Sequence, residues 1–374
     1  MRILFLVLRN LHLPHLLPIY RWMERRAGNW LEPAFSSPTH IPSREGEPGF
    51  GLNSEEVRAL HALGVGWVPY GEIVAFQPEV VVMADADYPQ GIDRLGARLV
   101  NVNHGLISKG CFYSDSPITI RENFADLVCV PGPHHKEALK RTVFKPIVVT
   151  GLVKFDRIWN GEITRDGVLL RLGIDPQKRT ILFAPTFNTE LSAVPVVTDR
   201  VSEWVDDDTH LLIKLHGMSP PEWTELYKLI AESDPRITLV GDADITECLA
   251  AADVKVSDVS SAFMEFVALD KPAVLVNNPL RPRFVGFDPR DIEYSWRDAG
   301  IEVDDPKRIC PAIRQALKHP EERSDKRRLY GPRLVGPADG RASQRVVEAI
   351  MALMGCRAGA TEAATSAHLL DCES

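Results

Sequence analysis

No apolar stretch of this chain reaches the roughly 18 consecutive residues that a membrane-crossing helix needs, so any meeting with a bilayer is expected from its surface. Paired cysteines are also lacking. Cys111, Cys129, Cys248, Cys310, Cys356 and Cys372 are scattered without a C-x-x-C pair, which argues against a zinc ribbon or a disulfide framework and for reduced thiols in a cytosolic protein. Positive charge is in deficit: 43 Lys and Arg stand against 51 Asp and Glu, a net charge of −8. Without a basic field no nucleic-acid partner is expected, and any polyanion site must be local. His134-His135 have no acidic or thiol partner at ligand spacing and read as surface caps at a helix start, so no metal and no cofactor are expected. A leader pattern is missing too. In MRILFLVLRN the apolar run is six residues before Arg9-Asn10, no small-residue cleavage site follows, and Ile3 to Leu8 reads as a first core strand.

What is present is the composition of a globular protein, 45% hydrophobic and 25% charged, and 374 residues suggest two α/β domains. Helical spacing runs from His12 to Arg26, with Pro18 as a candidate kink, and Asn29 to Gly51 is Pro-, Ser- and Gly-rich and reads as a long loop. Buried-type strands follow at Val80–Met83, Ala97–Val102, Leu127–Val130 and Ile147–Thr150. The second half repeats the alternation, with strands at Thr180–Ala184, Leu211–Leu215, Ile237–Val240, Val254–Val256 and Ala273–Val276. Lys318 to Arg328 reads as a charged helix surface able to touch anionic lipid.

Asp253 to Asn277 reads as strand, polar turn, helix, strand, the βαβ unit of a parallel sheet. A helix beginning near Ser260 would turn its unpaired N–H groups and two serine hydroxyls toward a bound phosphate, although Asp and Ser are equally ordinary helix caps. Pro185-Thr186 and His216-Gly217 also end strands of this half, and a parallel sheet would bring all three turns to one carboxyl edge. In the first half His104-Gly105 ends a strand, where a histidine can accept a proton from an incoming hydroxyl or simply bond the loop backbone.

With these residues in view, residues 98–350 resemble the CDP-glycerol glycerophosphotransferase family, the teichoic-acid primases and polymerases of the GT-B fold. The likeness rests on Asn103-His104-Gly105 with Lys109; Thr150-Gly151 with Lys154 and Asp156; Ile181 to Thr186; Lys214-Leu215-His216; Asp258, Ser260, Ser261 and Glu265 with Asp270-Lys271-Pro272; and Asp339-Gly340-Arg341-Ala342. The chain departs from the pattern at Gly217, where the family has Pro, and at Phe187-Asn188, where it has Trp-Arg. It also has Leu-Ile-Ser after Gly105 in place of Thr-Pro-Leu.

The resemblance implies an α/β protein with two Rossmann-like domains facing across a cleft and a C-terminal helix returning toward the first. The expected segments are an acceptor domain 1–155, a nucleotide-donor domain 156–335, a closing helix 336–355 and a disordered tail 356–374. It implies transfer of glycerol phosphate, or a related alditol phosphate, from a CDP-linked donor to a hydroxyl of a glycan or lipid-linked acceptor at the inner face of the membrane. His104 would be the base and His216 its partner in catalysis. Asp258, Ser260, Ser261, Lys214 and Thr186 would hold donor phosphates, and Glu265 and Asn188 the ribose or nucleotide. Lys109, Lys154, Asp156, Asp339 and Arg341 would support them. Two alternatives stay open: a GT-B glycosyltransferase or UDP-sugar 2-epimerase, the latter needing acidic residues that the sequence does not place beside His104, and a non-catalytic nucleotide-binding protein.

Overall fold

The computed structural model describes residues 1–26, 30–42, 49–106, 117–241 and 244–355; Lys109 and the tail 356–374 lie outside them. The chain forms two compact units. Among the described residues, one takes Met1–Gly105, resumes from 117 to Asp156 and recovers the chain from Asp339; the other comprises Leu106 and Arg157–Ala338. Each is an α/β unit on a wholly parallel six-stranded sheet.

The first sheet contains β1 (Arg2–Leu6), β2 (Glu32–Ser36), β3 (Val80–Met83), β4 (Arg98–Val102), β5 (Leu127–Val130) and β6 (Ile147–Val149), in the order β2-β1-β3-β4-β5-β6. Its inner strands β1, β3, β4 and β5 are buried on both faces, which is why they read as continuous apolar runs. Ile3, Phe5, Val80 and Val82 face a layer built from Leu16, Ile19 and Met23 of the helix Leu13–Arg26 together with Val346, Val347 and Ile350 of the final helix. Leu4, Leu6, Val81 and Met83 point the other way, toward Ile73 and Ile92, as the two-residue period of a strand requires. Pro18 is accommodated inside the helix Leu13–Arg26.

The second sheet contains β7 (Arg179–Phe183), β8 (Thr209–Ile213), β9 (Ile237–Leu239), β10 (Val254–Ser257), β11 (Ala273–Val276) and β12 (Ile301–Val303), in the order β12-β11-β10-β7-β8-β9. In each sheet the chain winds outward from one strand and then reverses. The reversal lies between β1 and β3 in the first and between β7 and β10 in the second, and open α/β sheets bind ligands outside the carboxyl ends at such a point.

Three sequence expectations are corrected. The segment read as a loop from Asn29 contains β2, an edge strand whose Pro33 is tolerated because one side of an edge needs no ladder donor. Strand β12 was not expected either, being three residues long and only partly buried. His135 is no surface cap: it is fully buried in the helix Pro133–Leu139, and burial pulls its imidazole down to about 3.

Candidate functional site

In the first unit the reversal point gathers side chains from three strand ends. Arg9 follows β1, and His12 closes the 3-10 turn Asn10–His12 that leads into the helix Leu13–Arg26. Asp85 and Asp87 follow β3, and His104 follows β4. Arg9 bridges the two aspartates, with Nη1 2.9 Å from Asp85 Oδ2 and Nη2 2.8 Å from Asp87 Oδ2. Arg121 donates to Asp87 from the other side at 2.6 Å. Two cations and two anions thus close a balanced network.

His104 meets this network through Nδ1, which lies 3.0 Å from the Ala84 carbonyl and 3.7 Å from Asp85 Oδ2. A carbonyl only accepts, so Nδ1 carries the proton of the neutral ring and Nε2 keeps its lone pair. His12 Nε2 lies 3.7 Å from the same Asp85 oxygen, and the His12 and His104 rings are 5.2 Å apart. His15 presents an edge to His104 at 6.4 Å. Burial pulls the fully buried His12 down to about 4, keeping it neutral. Burial pushes Asp85 upward, but His12, His104 and Arg9 together hold it at about 2, a permanent carboxylate.

The expectation that no acidic residue stands beside His104 is therefore corrected: Asp85 does, brought there by the pairing of β3 between β1 and β4. His12, Asp85 and His104 each offer a ligand atom within 4.8 Å of the others, close enough to hold a metal ion. However, Arg9 already sits on Asp85 Oδ2 and the Ala84 carbonyl on His104 Nδ1, an arrangement that fits a hydrogen-bonded base better than a cation cage. The missed signal was the A-D-A-D run directly after Met83, carboxylates at a strand's carboxyl end.

Beside this cluster Glu122 is buried, its oxygens accepting from Asn101 Nδ2 at 2.5 Å and Asn103 Nδ2 at 3.1 Å. Burial outweighs these bonds and pushes its carboxyl up to about 7.

In the second unit the reversal point lies between Thr186 and Asp258. Asp258 is fully buried, and its carboxylate accepts from the Thr186 amide at 3.0 and 3.1 Å and from the Ala193 amide at 2.8 Å. Arg297 donates to its carbonyl at 3.0 Å. Asp258 thus shapes the loop after β7 and presents no carboxylate to a ligand. Burial pushes its carboxyl up to about 6 against the pull of those amides.

Ser260 caps the helix Ser261–Ala268, its hydroxyl accepting from the Ala262 amide at 3.3 Å, and Ser261 is half-buried at the first helical position. Phe187, next to Thr186, lies against the exposed His216 ring with centroids 4.7 Å apart, and His216 Nδ1 accepts from the Met218 amide at 3.1 Å. The loop after β7 therefore ties the Asp258 turn to His216.

Three expected ligand residues stand otherwise. Glu265 is buried, with 3% of its surface exposed, and offers no open carboxylate. Asn188 Oδ1 is occupied by the amides of Glu190 and Leu191. Lys214 Nζ donates to the Gly241 carbonyl at 2.6 Å.

The supporting residues form a joint within the first unit. Asp156 accepts from the amides of Ala342 and Ser343 at 2.9 and 2.7 Å, satisfying the first N–H groups of the helix Ala342–Leu353. Asp339 binds Arg345 at 2.9 and 3.0 Å and accepts from the Arg341 amide, while Arg345 Nε donates to the Thr150 carbonyl at 2.6 Å. Gly151 has φ +103° with Ala342 Cβ against it, so a side chain would collide. Lys154 is buried and Arg341 is exposed.

Comparison with known proteins adds to this geometry. Residues 95–352 match the family described as CDP-glycerol:poly(glycerophosphate) glycerophosphotransferase. A teichoic acid glycerol-phosphate transferase of Staphylococcus aureus (strain NCTC 8325 / PS 47) is 23% identical over 194 residues, 50% of this chain and 48% of that protein. The chain spans about half the length of the curated relative it matches. Among solved structures, the wall teichoic acid polymerase TagF, in a histidine variant soaked with CDPG, is similar at a TM-score of 0.68 and 16% identity, over 93% of this chain and 87% of that one. A putative UDP-N-acetylglucosamine 2-epimerase from Listeria monocytogenes is similar at 0.61 and 16%, over 95% and 96%. At such identities the likeness is one of fold.

Proposed function

The chain belongs to the CDP-glycerol:poly(glycerophosphate) glycerophosphotransferase family, and from that membership we propose that it moves glycerol phosphate, or a related alditol phosphate, from a CDP-linked donor to a hydroxyl of a glycan or lipid-linked acceptor. The observation that carries the reading is His104, 41% exposed at its side chain, with Nδ1 fixed by Ala84 and Asp85 behind it. Its Nε2, without a hydrogen-bond partner among the described residues, takes the acceptor's proton, and Asp85 meets the positive charge that forms on the ring. The hydroxyl oxygen then bonds to the alditol-bearing phosphorus while the bond from that phosphorus to the CMP oxygen breaks. Phosphoryl transfer depends mainly on positioning and charge stabilisation, which a histidine held at the carboxyl edge of each sheet can supply.

On the second unit, the helix N-terminus at Ser260 and Ser261 supports the donor phosphates, and His216 supports the leaving CMP. Asp258 and Thr186 hold the loop that sets His216, and Asn188 shapes the same loop. Glu265 and Lys214 are left out of direct donor contacts, and Asp156, Asp339 and Arg341 act through the joint at the final helix.

Mass-spectrometric detection of CMP from CDP-glycerol tests the reading. His104→Ala should bind donor normally and lose most turnover, whereas near-normal turnover removes the base. Asp85 beside His104 is the one observation that favours an epimerase, so a UDP-N-acetylglucosamine arm belongs in the assay. Conversion of that sugar without CMP release would replace the transferase.

A further inference from the structure

The basic run Lys318 to Arg328 spends most of its charge inside the fold. Arg327 is buried against Asp270, Arg328 pairs with the same carboxylate, and Lys326 pairs with Asp298 at 2.9 Å. Another cation of the second unit is left without such a mate. Arg281 opens the short 3-10 turn Arg281–Arg283 in the loop after β11, at the carboxyl edge of the sheet, and forms no ion pair among the described residues.

Two asparagines directly after β11 fix the place of this arginine. Asn278 Nδ2 donates to the Thr189 carbonyl at 3.0 Å and the Ser192 carbonyl at 2.8 Å, and its Oδ1 accepts from the Leu280 amide at 2.8 Å. The loop that carries Arg281 is thereby bolted to the loop after β7. Asn277 Nδ2 donates to Asp304 at 2.8 Å and to Glu302 at 3.2 Å, so its amide is oriented with Oδ1 toward donors. Two guanidinium groups share that oxygen, Arg297 through Nη2 at 2.6 Å and Arg281 through Nη1. Arg297 is buried and donates through Nη1 to the Asp258 carbonyl at 3.0 Å. Arg281 is thus linked through one shared acceptor to the Asp258 turn that leads into Ser260.

The carboxylates beside Arg281 are already answered. Glu302 pairs with Arg297 at 2.9 Å, and Asp304 accepts from Asn277. Arg281 is half-buried, and its Nε and Nη2 have no hydrogen-bond partner among the described residues. Such an edge matches the oxygens of a phosphate group. The donor side has need of it. A helix N-terminus adds roughly half a positive charge, whereas each phosphate of a diphosphate ester carries a negative one. Lys214 is turned to the Gly241 carbonyl, and Asn188 stands where the family pattern has arginine, its Oδ1 taken by the Glu190 and Leu191 amides. Arg281 reaches the same loop from a different strand end.

We propose that Arg281 binds the donor diphosphate: Asn277 holds one edge of its guanidinium, and the open edge forks onto the phosphate oxygens. Arg281 is thereby a contact of the CDP-linked donor, and its assignment rests on the transferase reading given above. It neutralises and orients the diphosphate and exchanges no proton.

Calorimetric titration of the full chain with CDP-glycerol and with CMP tests this. Arg281→Gln should weaken CDP-glycerol binding about tenfold or more, and CMP, with one phosphate fewer, by less. Arg281→Lys keeps the charge without the fork and should fall between Arg281→Gln and the parent. Thermal unfolding should stay close to the parent, because Arg297 still occupies Asn277 Oδ1. Arg283→Gln is the control: Arg283 is exposed, forms no ion pair among the described residues and should bind as the parent does. Equal CDP-glycerol affinity in Arg281→Gln, equal losses for CDP-glycerol and CMP, or the same loss in Arg283→Gln would overturn the role of Arg281, while CMP release by the parent leaves the transferase standing. A parent that neither binds CDP-glycerol nor releases CMP removes both.

Discussion

Replacing Asp85 by Asn tests the geometry behind the proposed base most directly. The change keeps size and an acceptor oxygen but removes the charge 3.7 Å from His104 Nδ1. At an effective dielectric of about 20, a full charge at that distance stabilises an imidazolium by roughly 4 to 5 kcal/mol. Two features reduce this figure. The His104 side chain is 41% exposed, and Arg9 sits 2.9 Å from the same carboxylate and opposes its field. About 1 to 2 kcal/mol remains for the transition state in which His104 gains its proton, or roughly a 5- to 30-fold loss of kcat. Donor affinity should not change, because the donor is assigned to the other unit. Steady-state CMP release together with calorimetric titration of CDP-glycerol separates the two. Equal kcat in Asp85→Asn, or a loss confined to donor affinity, would refute the role given to Asp85.

Asp258→Asn should lower thermal stability by about 2 to 4 kcal/mol and weaken donor binding, since an NH2 group takes the place of one carboxylate oxygen and sets donor against donor in a buried site lined by the Thr186 and Ala193 amides; unchanged melting would contradict it. Asp156→Ala should cost about 1 to 2 kcal/mol by uncapping the helix Ala342–Leu353, and faster amide exchange at Ala342 and Ser343 would report it. Glu122 sets a pH dependence. Its folded value of about 7 lies above that of an unfolded glutamate, so its contribution is full below about pH 4.5 and is lost as pH rises through 7, on the order of 3 kcal/mol. Urea midpoints at pH 5 and pH 8 should therefore differ by less in Glu122→Gln than in the parent, and an identical difference would sink this assignment. The buried neutral His12 acts oppositely: its folded value of about 4 makes stability fall as pH drops from about 6.5 toward 4, so the comparison with Glu122→Gln is needed to isolate the carboxyl.

Much of this protein is written locally. Buried parallel strands read as short continuous apolar runs, so ten of the twelve strands among the described residues were visible, and the two missed were an edge strand starting Glu32-Pro33 and a three-residue strand at Ile301. The turns at Thr186, His216 and Asp258 could be expected on one edge because parallel strands all end on the same side. Burial and partner choice are not local. Glu265 shares its helix with Ser261, yet its surroundings come from other elements. Asp258 looks like a ligand in the chain and proves to be a brace for backbone amides 65 and 72 residues away.

The same holds for the first unit. The sequence by itself determined the α/β alternation, the histidine at the end of β4 and the family motifs, because these depend on residues adjacent in the chain. Only the tertiary structure set Arg9, His12 and Asp85 around that histidine. Strand order, which no short-range period encodes, places β3 between β1 and β4 and joins positions 76 residues apart in one charged network.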